Sequence, residues 1–132
     1  MDTVLGRLVL VACGGGAGAV ARYGLDLGVR HLWPGLAARF PLGILVVNTL
    51  GCLCFGVIVG ATGGFETLPH TQRLFLLTGV LGGFTTFSTF GHDTARLLES
   101  GALGLAVLNA AGSLILGVGS VFAGYWIGRH AA

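Results

Sequence analysis

Two stretches of this chain carry no charged residue, Phe40 to Phe65 and Ser100 to Gly128. A helix needs roughly 20 apolar residues to cross a hydrocarbon core ~30 Å thick, and both stretches exceed that. Their apolar residues come in long runs rather than in an alternation of period 2 or 3.6, which is the pattern of membrane spans. Residues 74–91, bounded by Arg73 and His92, form a third such stretch. A fourth begins after Arg7 and is clean to Ala21, where Arg22 interrupts it. The expected fold is therefore all-α. Residues 1–132 form a single integral membrane domain with helices near 4–28, 41–62, 72–98 and 102–127.

The joints between these segments support the division. His31-Leu32-Trp33-Pro34-Gly35 is a turn with a tryptophan at membrane-interface depth, followed later by Glu66-Thr67-Leu68-Pro69-His70 and Glu99-Ser100-Gly101. None has room for a soluble domain. Composition agrees: 9% of residues are charged, against about 25% in soluble domains. Net charge is +2 from seven Lys and Arg, which leaves no basic patch for nucleic acid. Arg7 ahead of an apolar run and small residues resembles a secretory leader. Arg22 and Asp26 at the far end of that run favour a retained first span.

Several patterns point to packing rather than chemistry. Cys13, Cys52 and Cys54 fall inside predicted helices, an odd set of thiols that suits small packing residues better than disulfides. His31, His70, His92 and His130 sit in loops or helix ends without ligand spacing. Glycine pairs four apart, Gly14/Gly18, Gly24/Gly28, Gly56/Gly60, Gly79/Gly83 and Gly124/Gly128, let helix backbones approach closely in lipid. The glycine run at 14–18 looks like a dinucleotide-binding turn. It lacks the second strand and the acid about 20 residues on that such a turn requires.

The third span holds the unusual chemistry. Gly82-Gly83-Phe84-Thr85-Thr86-Phe87-Ser88-Thr89-Phe90 places two glycines and four hydroxyl residues in mid-membrane. Adjacent glycines followed by β-branched residues make poor helix. A break there would free backbone carbonyls, tolerated only beside protein, a cavity or an ion. The alternative is an unbroken helix whose hydroxyls bond back to their own carbonyls. Phe87 and Phe90 share a face and can either pack in a core or present their positive ring edges to an anion. Thr86 and Thr89 share the neighbouring face. Asn48, and Asn109 with Ser113, are polar groups in the membrane, so they are interhelical glue or pore lining. Arg22 is the one full charge inside a span, either a functional group or a side chain that snorkels to the interface.

Three segments together resemble the Fluc (CrcB) fluoride channels: residues 14–23 (Gly-Gly-Gly-Ala-Gly-Ala-Val-Ala-Arg-Tyr), residues 41–51 (Pro-Leu-Gly-Ile-Leu-Val-Val-Asn-Thr-Leu-Gly) and residues 82–90. The resemblance covers the whole chain. It implies a passive fluoride channel of the plasma membrane (bacterial inner-membrane type) that gives fluoride resistance and is not an enzyme. It further implies an antiparallel dual-topology homodimer surrounded by lipid, with the third helix broken at mid-membrane. A structural sodium ion would lie on the dimer axis, held by the backbone carbonyls of Gly82 and Thr85. Phe87 and Phe90 would face the fluoride path, with Ser88, Thr89 and Ser113 as hydroxyl donors. Asn48 would be the pore-facing amide and Arg22 the family's first-helix arginine. Asn109 stands where many members carry a tyrosine four residues before the serine, a departure shared by other members, so the resemblance assigns it no role.

Two rivals come from other classes. A small dual-topology multidrug-type transporter would need a membrane carboxylate, and the nearest, Asp26, lies at a helix end. An accessory subunit without transport would leave the Gly-Gly pair and the hydroxyl track without a purpose. His92 and Asp93 lie near Ser88, but on a single helix and without the geometry of a catalytic triad. Dual topology also follows from charge alone. Arg7, Arg73 and Arg129 lie on the side of the N-terminus; Arg30, Arg39 and Arg96 lie opposite, with Arg22 near the same end.

Overall fold

The computed structural model describes residues 3–131. Four helical spans are long and apolar enough to cross a membrane: Val4–Leu32, Leu42–Ala61, His70–Glu99 and Leu103–Ala131. The first, α1 (Val4–Leu32), starts at Thr3, whose hydroxyl accepts the Gly6 amide at 3.2 Å. This is the usual use of a threonine at a helix start, where free amides need acceptors. The helix runs past residue 28, where the sequence suggested an end. Asp26 and Arg30, one turn apart, form an ion pair at 2.9 Å across that extension. At ~1.5 Å rise per residue, Arg7 and Arg30 lie about 35 Å apart, so both charged ends clear a ~30 Å core.

A short turn of helix, α2 (Pro34–Ala37), follows the exposed Trp33. It begins on a proline, which suits a first helical turn because its missing amide would be unpaired there anyway. Next, α3 (Leu42–Ala61) ends at Thr62 with Gly63 at φ 75°. The Gly63 and Gly64 amides turn back onto the Gly60 and Val59 carbonyls at 3.2 and 3.0 Å. The third span ends alike, with Gly101 at φ 75° and the amides of Gly101 and Ala102 on the carbonyls of Leu98 and Leu97. Glycine takes this left-handed position with little steric cost.

The third span is composite. It opens with α4 (His70–Gln72), continues as a wide π-helical stretch over Arg73–Leu81, and returns to α-helix in α5 (Gly82–Phe84). Thr85 (ψ 156°) and Thr86 (ψ 120°) are extended, and α6 (Phe87–Glu99) then completes the span. The last span is the continuous helix α7 (Leu103–Ala131).

These spans associate as two parallel pairs. The most extensive contact is α3 on α7, followed by α1 on the π-helical stretch and α5. Glycine makes both possible. A Cβ added at Gly56 would meet the Tyr125 amide nitrogen at 2.8 Å, and one at Gly128 the Ala61 amide at 2.7 Å. In the other pair, a Cβ at Gly14 would lie 3.1 Å from the Gly79 Cα, and one at Gly18 would lie 2.8 Å from the Phe84 amide. Only bare backbone permits such approach, and in lipid close backbone packing is a main source of helix affinity. Of the glycine pairs picked out by spacing, Gly24/Gly28 is the exception: a side chain there would meet nothing in the chain. Outside these seams the helices present large apolar residues such as Val20, Leu114, Ile115 and Phe122, all exposed. In a membrane such a surface faces lipid or another protein rather than water.

Candidate functional site

The two extended residues are held from outside their own helix. The Asn48 side chain of α3 donates from Nδ2 to the Thr86 carbonyl at 3.0 Å and accepts the Thr86 amide on Oδ1 at 2.8 Å. One amide side chain thus pairs both backbone groups of a single residue, as a neighbouring strand would. Left unpaired in a buried place, each group would cost roughly 1–3 kcal/mol. Thr86 itself is buried, and its hydroxyl forms the hub of a small cluster. It lies 3.1 Å from the Thr89 hydroxyl and 3.3 Å from that of Ser88, and it accepts the Thr89 amide at the start of α6. The Thr85 hydroxyl instead bonds back to the Leu81 carbonyl at 3.0 Å.

This pattern diverts two amides from their ordinary helical acceptors. The Thr86 amide would normally serve the carbonyl of Gly82, four residues earlier, but donates to Asn48. The Thr89 amide would serve the carbonyl of Thr85, but donates to the Thr86 hydroxyl. The Gly82 and Thr85 carbonyls are consequently without their helical donors, and Gly82 lies on the exposed side of the span. Hard carbonyl oxygens freed in this way are the type of group that binds an alkali or alkaline-earth cation. No cluster of His, Cys, Asp and Glu suited to a metal occurs among the described residues.

Beside the extended residues lies a cavity of about 470 Å³. Asn48 and Cys52 line it from α3, Thr85 and Thr86 from the extended link, Phe87 and Phe90 from α6, and Ser113 from α7. The Phe87 and Phe90 rings are 5.4 Å apart between centroids and tilted by 43°. Phe87 is 83% exposed, so within one chain its ring is not a core residue. A ring carries partial positive charge around its edge. Two tilted rings beside hydroxyl and amide donors can stabilise a small anion without a fixed charge that would hold it.

The residues singled out by sequence separate into groups. Asn48, Phe87, Phe90, Ser113 and Thr85 meet at one cavity. Ser88 and Thr89 do not line it but join it through the Thr86 hydroxyl. Arg22 is half-buried on α1 and away from the lining. It takes no part in the two ion pairs among the described residues, Arg30–Asp26 and Arg73–Glu66. Two further contributors lie outside the residues that the sequence assigned to the site. Thr86 was grouped with Thr89 on a face, yet its hydroxyl and backbone organise the whole link. Asn109, only 2% exposed, donates to the Thr94 hydroxyl at 2.8 Å, and Thr94 donates to the Phe90 carbonyl at 2.8 Å. That relay ties α7 to the turn carrying Phe90. Of the two roles open to a polar group in the membrane, Asn109 takes that of interhelical glue.

Comparison with known proteins places these features in a family. The model described as CrcB-like protein, Camphor Resistance (CrcB), matches residues 9–125. The chain is 44% identical over 124 residues to a fluoride-specific ion channel FluC of Rhodospirillum centenum, covering 94% of this chain and 96% of that protein. It is 42% identical over 123 residues to one from Nitratidesulfovibrio vulgaris (93% and 97% covered), and 42% identical over 124 residues to one from Agrobacterium fabrum (94% and 97% covered).

Proposed function

This chain belongs to the CrcB-like family, and on that premise we propose that it is a fluoride-selective channel that exports fluoride passively across the plasma membrane and so confers fluoride resistance. The observation that carries the reading is the tilted Phe87–Phe90 pair at a cavity shared with Asn48 and Ser113. The relatives with near full-length coverage are named fluoride-specific ion channels. The chemistry required is dehydration of a small anion and its replacement by weak donors. Ring edges at Phe87 and Phe90, with hydroxyls at Ser113 and around Thr86, supply those donors without a cation that would trap fluoride. Ser88 and Thr89 continue the donor path beyond the rings. Hydrogen fluoride enters neutral and ionises inside, and the inside-negative potential then drives the anion outward through a passive pore. No step of this kind is enzymatic.

The functional unit in this reading is an antiparallel homodimer, with the third span broken at mid-membrane in each subunit. Four spans do not enclose a pore, and Phe87 is exposed where a second subunit would cover it. Sodium on the dimer axis fits the Gly82 and Thr85 carbonyls, whose helical donors are diverted by Asn48 and Thr86. Bound there, it would supply a positive charge that ties the two links together. Arg22, half-buried on α1 and outside the cavity lining, would be the family's first-helix arginine on the fluoride path. A proton-coupled multidrug exchanger gains no support, because Asp26 is ion-paired with Arg30 near the end of α1. Purified protein in liposomes loaded with fluoride or chloride tests the proposal. Rapid efflux of fluoride with chloride retained is the expected result, and equal efflux of both anions, or of neither, overturns it.

A further inference from the structure

A second cavity, of about 300 Å³, lies at the opposite end of the molecule from the N-terminus. Three arginines distant in sequence line it: Arg30 from the end of α1, Arg39 from the turn before α3, and Arg96 from the last turns of α6. Asp93 is the one carboxylate in the lining. Arg30 is already paired with Asp26 at 2.9 Å, outside the lining. Arg39 and Arg96 therefore stand against Asp93 alone, which leaves one surplus positive charge. Between the lining residues Arg30 and Ala37, the chain exposes three large apolar side chains, Leu32, Trp33 and Leu36, each at least half uncovered. Tryptophan at such a position marks the headgroup depth of a bilayer.

We propose that this cavity binds a singly charged phosphate ester, the phosphodiester headgroup of an anionic phospholipid. The planar fork of arginine matches phosphate oxygens two at a time, which lysine cannot do. A phosphodiester carries one negative charge and closes the charge balance of the cavity. Its acyl chains run from headgroup depth along the exposed Leu32, Trp33 and Leu36. Basic pockets between spans at this depth are a recognised mode of headgroup capture. The inference concerns a cavity that shares no lining residue with the one beside Phe87 and Phe90, and it stands whether or not the chain conducts fluoride.

The test uses the full chain, purified and delipidated in detergent, with lipid binding read by native mass spectrometry. Phosphatidylglycerol should bind more tightly than phosphatidylcholine, and R39Q/R96Q should weaken phosphatidylglycerol roughly 30-fold while leaving phosphatidylcholine unchanged. Inorganic phosphate forms a separate arm. If it competes fully with phosphatidylglycerol at equal concentration, the ligand is a soluble oxyanion and the lipid assignment falls. Equal binding of the two lipids to the wild type overturns the site altogether, as does undiminished phosphatidylglycerol binding in R39Q/R96Q. Should R39Q/R96Q fail to fold, R39K/R96K keeps the charge and removes the fork. A selective loss of phosphatidylglycerol affinity in it supports the site, and an unchanged affinity overturns it.

Discussion

Phe87 and Phe90 differ from ordinary core phenylalanines because one of them is largely uncovered while its ring still touches its partner. Replacing either with isoleucine keeps bulk and hydrophobicity but removes the ring edge. The expected outcome is a fall in fluoride efflux of at least about a hundredfold, equivalent to roughly 2.8 kcal/mol in barrier height, with folding retained. Liposome efflux beside a thermal melt of the same sample checks both halves. Asn48 is predicted to act differently. Asn48→Leu strands the Thr86 amide and carbonyl, each costing roughly 1–3 kcal/mol, so its melting temperature should drop clearly where that of the phenylalanine variants does not. Asn48 and the rings were visible in the sequence as polar and aromatic residues out of place. That Asn48 grips the backbone of Thr86 was not, because residues 38 apart in sequence carry no local mark of their pairing.

At the scale of elements, the spans were legible because lipid leaves a chain few options, and long uncharged runs record that. Their ends were less so: α1 and α7 extend beyond the uncharged runs because arginine and histidine are comfortable in the last turns at the interface. Within the third span, Gly82 and Gly83 looked like the poorest helix. They are nonetheless helical, and the two β-branched residues after them are extended. Threonine accepts extended backbone readily, whereas glycine here serves close approach, a Cβ at Gly83 falling 2.9 Å from the Gly15 Cα. Two alanine substitutions separate the roles. Gly56→Ala pushes α3 from α7 and should destabilise the fold by about 1–3 kcal/mol. At Gly82 a Cβ would meet only the Leu77 carbonyl, at an ordinary 3.7 Å. Gly82→Ala should therefore spare the subunit fold and instead weaken dimerisation or its sodium dependence, measured by sedimentation with and without sodium. Equal loss of subunit stability in both variants would refute that division.

For the whole molecule, the arginines give almost no orientation bias, with three on the N-terminal side against three or four opposite. Orientation follows such imbalances in short loops, so both insertions should occur. Labelling of the termini in membranes should find them on both faces. Adding two or three lysines to one end should fix the orientation and abolish efflux when that variant is expressed alone, and coexpression with an oppositely biased partner should restore it. A single orientation for the unmodified chain would remove the antiparallel dimer. Sequence exposed this balance directly, because charges can be counted along the chain. It could not expose the cavity ringed by Arg30, Arg39 and Arg96, which exists only once three spans end at one level.

The two extended residues also make α6 begin near the middle of its span instead of at a membrane surface. An α-helix carries the equivalent of roughly half a positive charge at its first turn, from aligned peptide dipoles. At mid-span that partial charge is far from bulk water, and it sits beside Phe87 and Ser88. A passing anion would thus meet a positive potential that no protonation state can switch off, produced by thirteen residues of helix and no ionised side chain.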